Sequence, residues 1–111
     1  MKKDMVNTIV TEVENRYKNE ELTELKKDYQ VCSRLAYATS CYFINMDSCN
    51  YEDKEIFDNL EDAIQYIEVL KTMINDLENK HNTKFDCIRT NYINYIEKIS
   101  KNLIEEGIPP L

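Results

Sequence analysis

The chain has almost no residues that interrupt a helix. Its 111 residues include one glycine and two prolines, and all three lie in the last five positions, at Gly107, Pro109 and Pro110. No Asn-Gly or Asp-Gly pair is present to form a tight β-hairpin. With 42% apolar residues, a chain of this size buries roughly 65% of its unfolded surface in one core. The sequence therefore predicts a single all-α domain over residues 1–111.

Three stretches carry apolar residues at alternating steps of three and four, the spacing of one helix face. They predict helices over about 21–47, 52–78 and 84–106. Similar lengths and short polar connections indicate an antiparallel three-helix bundle. A further helix is expected over about 4–18, and it either packs as a fourth helix or extends the first, because the phase changes near Lys18 without a glycine or proline.

Each predicted helix has a defined inward face, and the last one is expected to begin with Thr83 as its cap. The inward positions of the three bundle helices are Leu22, Leu25, Tyr29, Cys32, Ala36, Thr39, Phe43 and Met46; Leu60, Ala63, Ile67, Leu70, Ile74 and Leu77; and Phe85, Ile88, Tyr92, Tyr95, Ile96, Ile99 and Leu103.

The negative charge is concentrated in the middle of the chain. Residues 47–78 carry ten acidic and two basic side chains, an excess that accounts for the whole formal net charge of −7. Such a segment repels the phosphates of nucleic acids and anionic membranes. We therefore expect no direct binding to nucleic acid or to a membrane.

The sequence predicts a cytoplasmic protein. Lys2 and Lys3 are not followed by the apolar core of a signal peptide, and the uncharged run from Leu35 to Met46 is too short to cross a bilayer. Cysteines in this compartment are expected to be thiols.

The reactive residue types do not form a recognisable catalytic or metal-binding pattern. Glu78 and His81 have the spacing of one half of a di-iron site, which needs a second such pair, and His81 is the only histidine. No two cysteines form the close pair that nucleates a zinc site; they are Cys32, Cys41, Cys49 and Cys87. Without a nucleophile and base pair or a glycine-rich loop, we expect no metal, no cofactor and no enzymatic activity.

The leading functional hypothesis is a non-enzymatic protein that docks its acidic central helix on the basic surface of another protein. Basic surfaces are often nucleic-acid-binding clefts, so occupying such a cleft would inhibit or regulate the partner. Tyr51 and Tyr66 are the expected aromatic anchors. The full predicted docking set is Tyr51, Glu52, Asp53, Glu55, Asp58, Glu61, Asp62, Tyr66 and Glu68.

In size and charge the chain is similar to small acidic proteins of phages and mobile elements, among them anti-CRISPR-like inhibitors of bacterial defence nucleases. That likeness implies an inhibitor that mimics nucleic acid.

Two other interpretations remain open at the level of sequence. In one, the carboxylates only solvate the outer face of a bundle and complement the helix dipole. In the other, spare apolar surface makes a homodimer or a larger assembly, in which Val69 and Met73 lie outside the main seam of the central helix. The predicted assembly surface of the N-terminal helix is Val6, Ile9, Val10, Val13 and Tyr17.

Overall fold

The computed structural model describes the backbone of residues 3–19, 21–43 and 57–106, and the side chains of 4–19, 21–43 and 57–102. These residues form four helices: α1 (Lys3–Arg16), α2 (Glu24–Phe43), α3 (Leu60–His81) and α4. The last is continuous and consists of Asp86–Ile88, a π-helical stretch Arg89–Ile93, and Asn94–Glu106. No strand occurs in the described ranges, and the predicted all-α bundle is confirmed.

The helix α2 lies at the centre of the bundle, in contact with α1, α3 and α4. Several small residues in its second half are buried, whereas Tyr37 in the same stretch is 40% exposed. The buried positions of α2 are Cys32, Leu35, Ala36, Ala38, Thr39, Ser40 and Cys41.

The first two helices are separate, which settles the question that the sequence left open near Lys18. After α1 a turn covers residues 17–19, and α2 begins where the Thr23 hydroxyl accepts a hydrogen bond from the Lys26 N–H at 3.2 Å. Ion pairs Glu14–Lys27 and Glu12–Arg34, both 3.5 Å, bridge the two helices. The N-terminal helix therefore packs as a fourth helix.

The central acidic helix begins later and ends later than predicted. Residues 57–59 are not helical, and Asn59 caps α3 by accepting a hydrogen bond from the Asp62 N–H at 2.9 Å. An asparagine at this place satisfies a backbone donor of the first turn, which favours a start at Leu60. At the other end, Asn82 adopts a left-handed conformation with φ of 50°, which ends α3 after His81.

The last helix has a register that simple helical spacing does not predict. In the π-helical stretch the Asn94 N–H donates to the Arg89 carbonyl, five residues back. One extra residue turns everything downstream by about 100°. As a result Ile93, Ile96 and Ser100 face the core, whereas Tyr95, predicted to point inward, is 45% exposed.

Thr83 does not cap this helix, contrary to prediction. Phe85 occupies the N-cap position and supplies no side-chain cap. Its own ring is fully buried in the core, where it meets Tyr29 edge to face at 5.0 Å between centroids.

Ile67→Ala tests the register of α3. Ile67 is 3% exposed in the main core, so removing its side chain should lower the free energy of unfolding by about 2 to 4 kcal/mol through lost burial and a cavity. Chemical denaturation measures this change. Val69→Ala is the matched control, because Val69 is 48% exposed and should change stability by no more than about 0.5 kcal/mol. Equal losses from both variants would mean that the register is wrong.

Candidate functional site

The outward side of α3 carries a row of exposed polar side chains at steps of three and four residues. We call Glu61, Gln65, Glu68, Thr72 and Asp76 the acidic row; all five are exposed. Three of them are carboxylates and none is basic. Helical spacing places them along one face over about 22 Å.

Beside the acidic row lies an apolar row formed by Val69, Met73 and Leu77. Val69 is largely exposed, and Met73 and Leu77 are half-buried against the core. The C-terminal half of the acidic row and the apolar row together line a shallow depression of about 540 Å³. This surface is therefore apolar on one side and negatively charged on the other.

Lys71, the one basic residue within the span of the acidic row, reaches toward another helix. The ammonium of Lys71 lies 2.6 Å from the Glu97 carboxylate on α4 and 3.6 Å from that of Glu68. The contact with Glu97 raises the pKa of Lys71. Lys71 lines a separate depression together with Glu97 and Arg89, so its charge offsets the acidic row only in part.

The structure brings together only part of the predicted docking set. Glu61 and Glu68 share the acidic row, Asp58 is exposed but precedes α3, and Asp62 is half-buried at the cap. Four predicted residues lie outside the described ranges: Tyr51, Glu52, Asp53 and Glu55.

Tyr66, one of the two expected aromatic anchors, is partly buried within the bundle. Its ring packs edge to face on Phe57, with 5.6 Å between centroids, and contacts the core. Burial raises the pKa of Tyr66 to about 12. The ring therefore supports the fold from inside and is a poor candidate for an aromatic anchor.

The predicted assembly surface of α1 is largely used within the chain. Ile9 and Val13 are each 1% exposed. Val6 and Val10 are half-buried, and the Lys26 ammonium lies 4.2 Å from the centroid of the Tyr17 ring. In this conformation, the two most apolar positions of the stripe are not available to a second copy.

Sequence analysis missed a buried polar centre between α3 and α4. The Glu78 carboxylate, in a residue only 8% exposed, accepts hydrogen bonds from the Phe85 N–H at 2.7 Å and from the Arg89 guanidinium. Arg89 also donates to the Asn75 side chain at 2.7 Å. A signal was present, because Glu78 continues the inward spacing of Ile74 by four residues and so occupies a core position.

A second polar cluster joins α2 to the end of α3. The Asp28 carboxylate lies 2.8 Å from the His81 ring nitrogen and 3.0 Å from the Lys80 ammonium, and Lys80 also reaches Glu24 at 2.6 Å. Burial raises the pKa of Asp28, but hydrogen bonds from His81 and Lys80 outweigh it and lower the pKa overall. His81 therefore faces Asp28, away from Glu78, and the half of a di-iron motif is not assembled.

The described thiols are dispersed. Cys32 and Cys41 are buried and Cys87 is exposed; burial raises the pKa of Cys32 to about 12. Across the described ranges, no three His, Cys, Asp or Glu side chains are grouped so that they could hold a metal ion. None of the described helices is both long enough and apolar enough to span a membrane.

Fold and surface together define a small acidic helical bundle with one amphipathic outer face. Comparison of the chain with known protein families, curated proteins and solved structures found no match.

Acid unfolding tests the Glu78 centre. The Arg89 hydrogen bond lowers the pKa of Glu78 from 4.5 to about 2, assisted by the Phe85 N–H and opposed by burial. The folded pKa lies below the unfolded one, so this stabilisation is complete above about pH 5 and is lost as the pH falls toward 2. It corresponds to at most about 3 kcal/mol, and solvent around the half-exposed Arg89 reduces this value.

Glu78→Gln should therefore lower the free energy of unfolding by about 1 to 3 kcal/mol at pH 7 and much less at pH 2. Denaturant titrations at both pH values measure the difference. Asp76→Asn, a neutralised carboxylate two residues away on the exposed face, should behave like the parent at both. A Glu78→Gln deficit that stays constant with pH would contradict the assignment.

Proposed function

We propose that this chain is a non-enzymatic protein that docks the acidic row of α3 on a basic surface of another protein and thereby inhibits or regulates it. The observation that supports this proposal is the exposed acidic row beside an exposed apolar row. A nucleic-acid-binding cleft is the basic surface that such a ligand would fit, because the carboxylates take the place of phosphates.

The distribution of ion pairs favours a role for the acidic row beyond solvation. Many other carboxylates have a cation of the same chain beside them: Glu12 and Glu14 pair with α2, Glu97 with Lys71, and Glu78 with Arg89. In the acidic row, Glu68 has Lys71 beside it at 3.6 Å, whereas Glu61 and Asp76, at the two ends of the row, form no ion pair within the described residues. Negative charges that are only partly compensated attract a cationic partner from a distance.

The proposed compartment is the cytoplasm. Cys32 is a buried thiol and Cys87 an exposed one, as expected where thiols are kept reduced.

A homo-oligomer is the second candidate, and one observation favours it. Val69 is 48% exposed on a regular helix, so the apolar row is surface that a second copy could cover. Such an assembly would use α3, since Ile9 and Val13 of α1 are buried within the chain.

Charge reversal separates docking from simple solvation. The double variant Glu61→Lys and Glu68→Lys should retain the fold, because exposed substitutions change stability by about 0.5 kcal/mol or less. As immobilised bait in a bacterial lysate, it should lose proteins that the parent captures. Those proteins should be released from the parent both by duplex DNA and by raising salt from about 0.1 M to about 1 M.

The matched control is Asp4→Lys with Glu21→Lys, two exposed carboxylates away from α3. It changes the net charge by the same amount and should capture the same proteins as the parent. If both double variants lose capture equally, total charge and not the acidic row is responsible. If neither loses it, or if duplex DNA releases nothing, the proposal is wrong.

A further inference from the structure

The two rows of α3 lie side by side, and a partner that covers one also reaches the other. Val69, Met73 and Leu77 repeat every four residues, and Glu68 and Asp76 flank them on the solvent side. We propose that the segment of the partner bound here is a basic amphipathic helix, with aliphatic side chains on the apolar row and lysines or arginines on the acidic row. This inference rests on the proposed function and names the partner element.

The dimensions suit one short helix. From Val69 to Leu77 the apolar row spans about 12 Å, and the full acidic row about 22 Å. A helix of roughly three turns places anchors at i, i+4 and i+7 along the first distance, with flanking cations along the second. Met73 has an unbranched, flexible side chain, so the row can adapt to aliphatic anchors of different shapes.

The charges disfavour a second copy of this chain as the occupant. A two-fold pairing of α3 centred on Thr72 would set Glu68 of one copy against Asp76 of the other, since both lie four residues from the centre. A parallel pairing would set each carboxylate against its own equivalent. Both arrangements bring like charges together, which costs affinity. A cationic helix avoids the like-charge repulsion and neutralises the acidic row.

The test uses the full chain and a synthetic peptide as probe. The peptide has about fourteen residues, with leucines spaced three and four apart on one face and lysines on both flanks. A scrambled peptide of identical composition has the same charge but no apolar face. Fluorescence anisotropy should show saturable binding of the first peptide and at least tenfold weaker binding of the second.

Protein variants then locate the contact. The near-isosteric pair Val69→Thr and Met73→Gln should weaken binding of the amphipathic peptide at least tenfold, whereas Leu25→Gln, an apolar position of α2 with similar exposure, should not. Val69→Thr alone should weaken binding in the same direction, and it serves if the double variant unfolds. Circular dichroism and thermal melting verify the fold of each variant.

The outcomes distinguish this inference from the function on which it rests. If the two peptides bind with equal affinity and the Val69 and Met73 changes have no effect, charge alone explains the binding. This result overturns the helix inference. The proposed function still stands if duplex DNA releases the captured proteins. Peptide binding that depends on Val69 but survives Glu61→Lys with Glu68→Lys overturns both. No saturable binding up to about 1 mM also overturns the inference. A photo-crosslinker placed at Val69 gives a further test: crosslinks between two copies of the chain, or between two parts of one chain, would also overturn the inference.

Discussion

A single buried carboxylate holds together the half of the bundle where the chain reverses between α3 and α4. Only residues 82–85 connect the two helices, and the first turn of α4 has no side-chain cap of its own. Glu78 compensates, because its carboxylate accepts from the Phe85 N–H and pairs with Arg89. A charge this deeply buried is stable only while its partners are in place. The loop, the helix start and the salt bridge therefore form one unit.

The same contact bears on the register of α4. Arg89 is the first residue of the π-helical stretch and binds both Glu78 and Asn75 of α3. Beyond it, the extra residue brings Ile93 into the core beside Ile96 and leaves Tyr95 exposed, while Tyr92 stays partly buried against the core. Ile88 and Ile93 are five residues apart, the step that a π-helical turn needs to keep both on the core side. A search for apolar residues at steps of three and four treats a step of five as the end of a helix face. Reading it as a π turn requires knowing that Arg89 has a partner on α3.

Sequence periodicity predicted the fold class, three of the four helices and most core positions of α3, because burial of one face is what periodic apolar residues encode. It could not predict which helix would be central. The sides of α2 that face other helices carry Ala36, Ala38, Ser40 and Cys41, which are too small to mark a helix face by hydrophobicity. It also placed the start of the central helix too early, because it did not identify Asn59 as the cap; the hydrogen bond that Asn59 accepts from the Asp62 N–H shows that α3 begins at Leu60.

The candidate site was partly predictable for a related reason. An excess of carboxylates is visible in composition, but whether a carboxylate is internal, paired or exposed depends on tertiary contacts. Glu78, counted with the same acidic segment, is structural, and Tyr66 turned out to belong with Phe57 in the interior. Among the described residues, Glu68 and Asp76 border the apolar row, and Glu61 continues the acidic row toward the start of α3. A solvated face needs no ordered apolar neighbour, whereas a binding face gains most of its affinity from one; the pairing of the two rows therefore favours recognition over simple solubility.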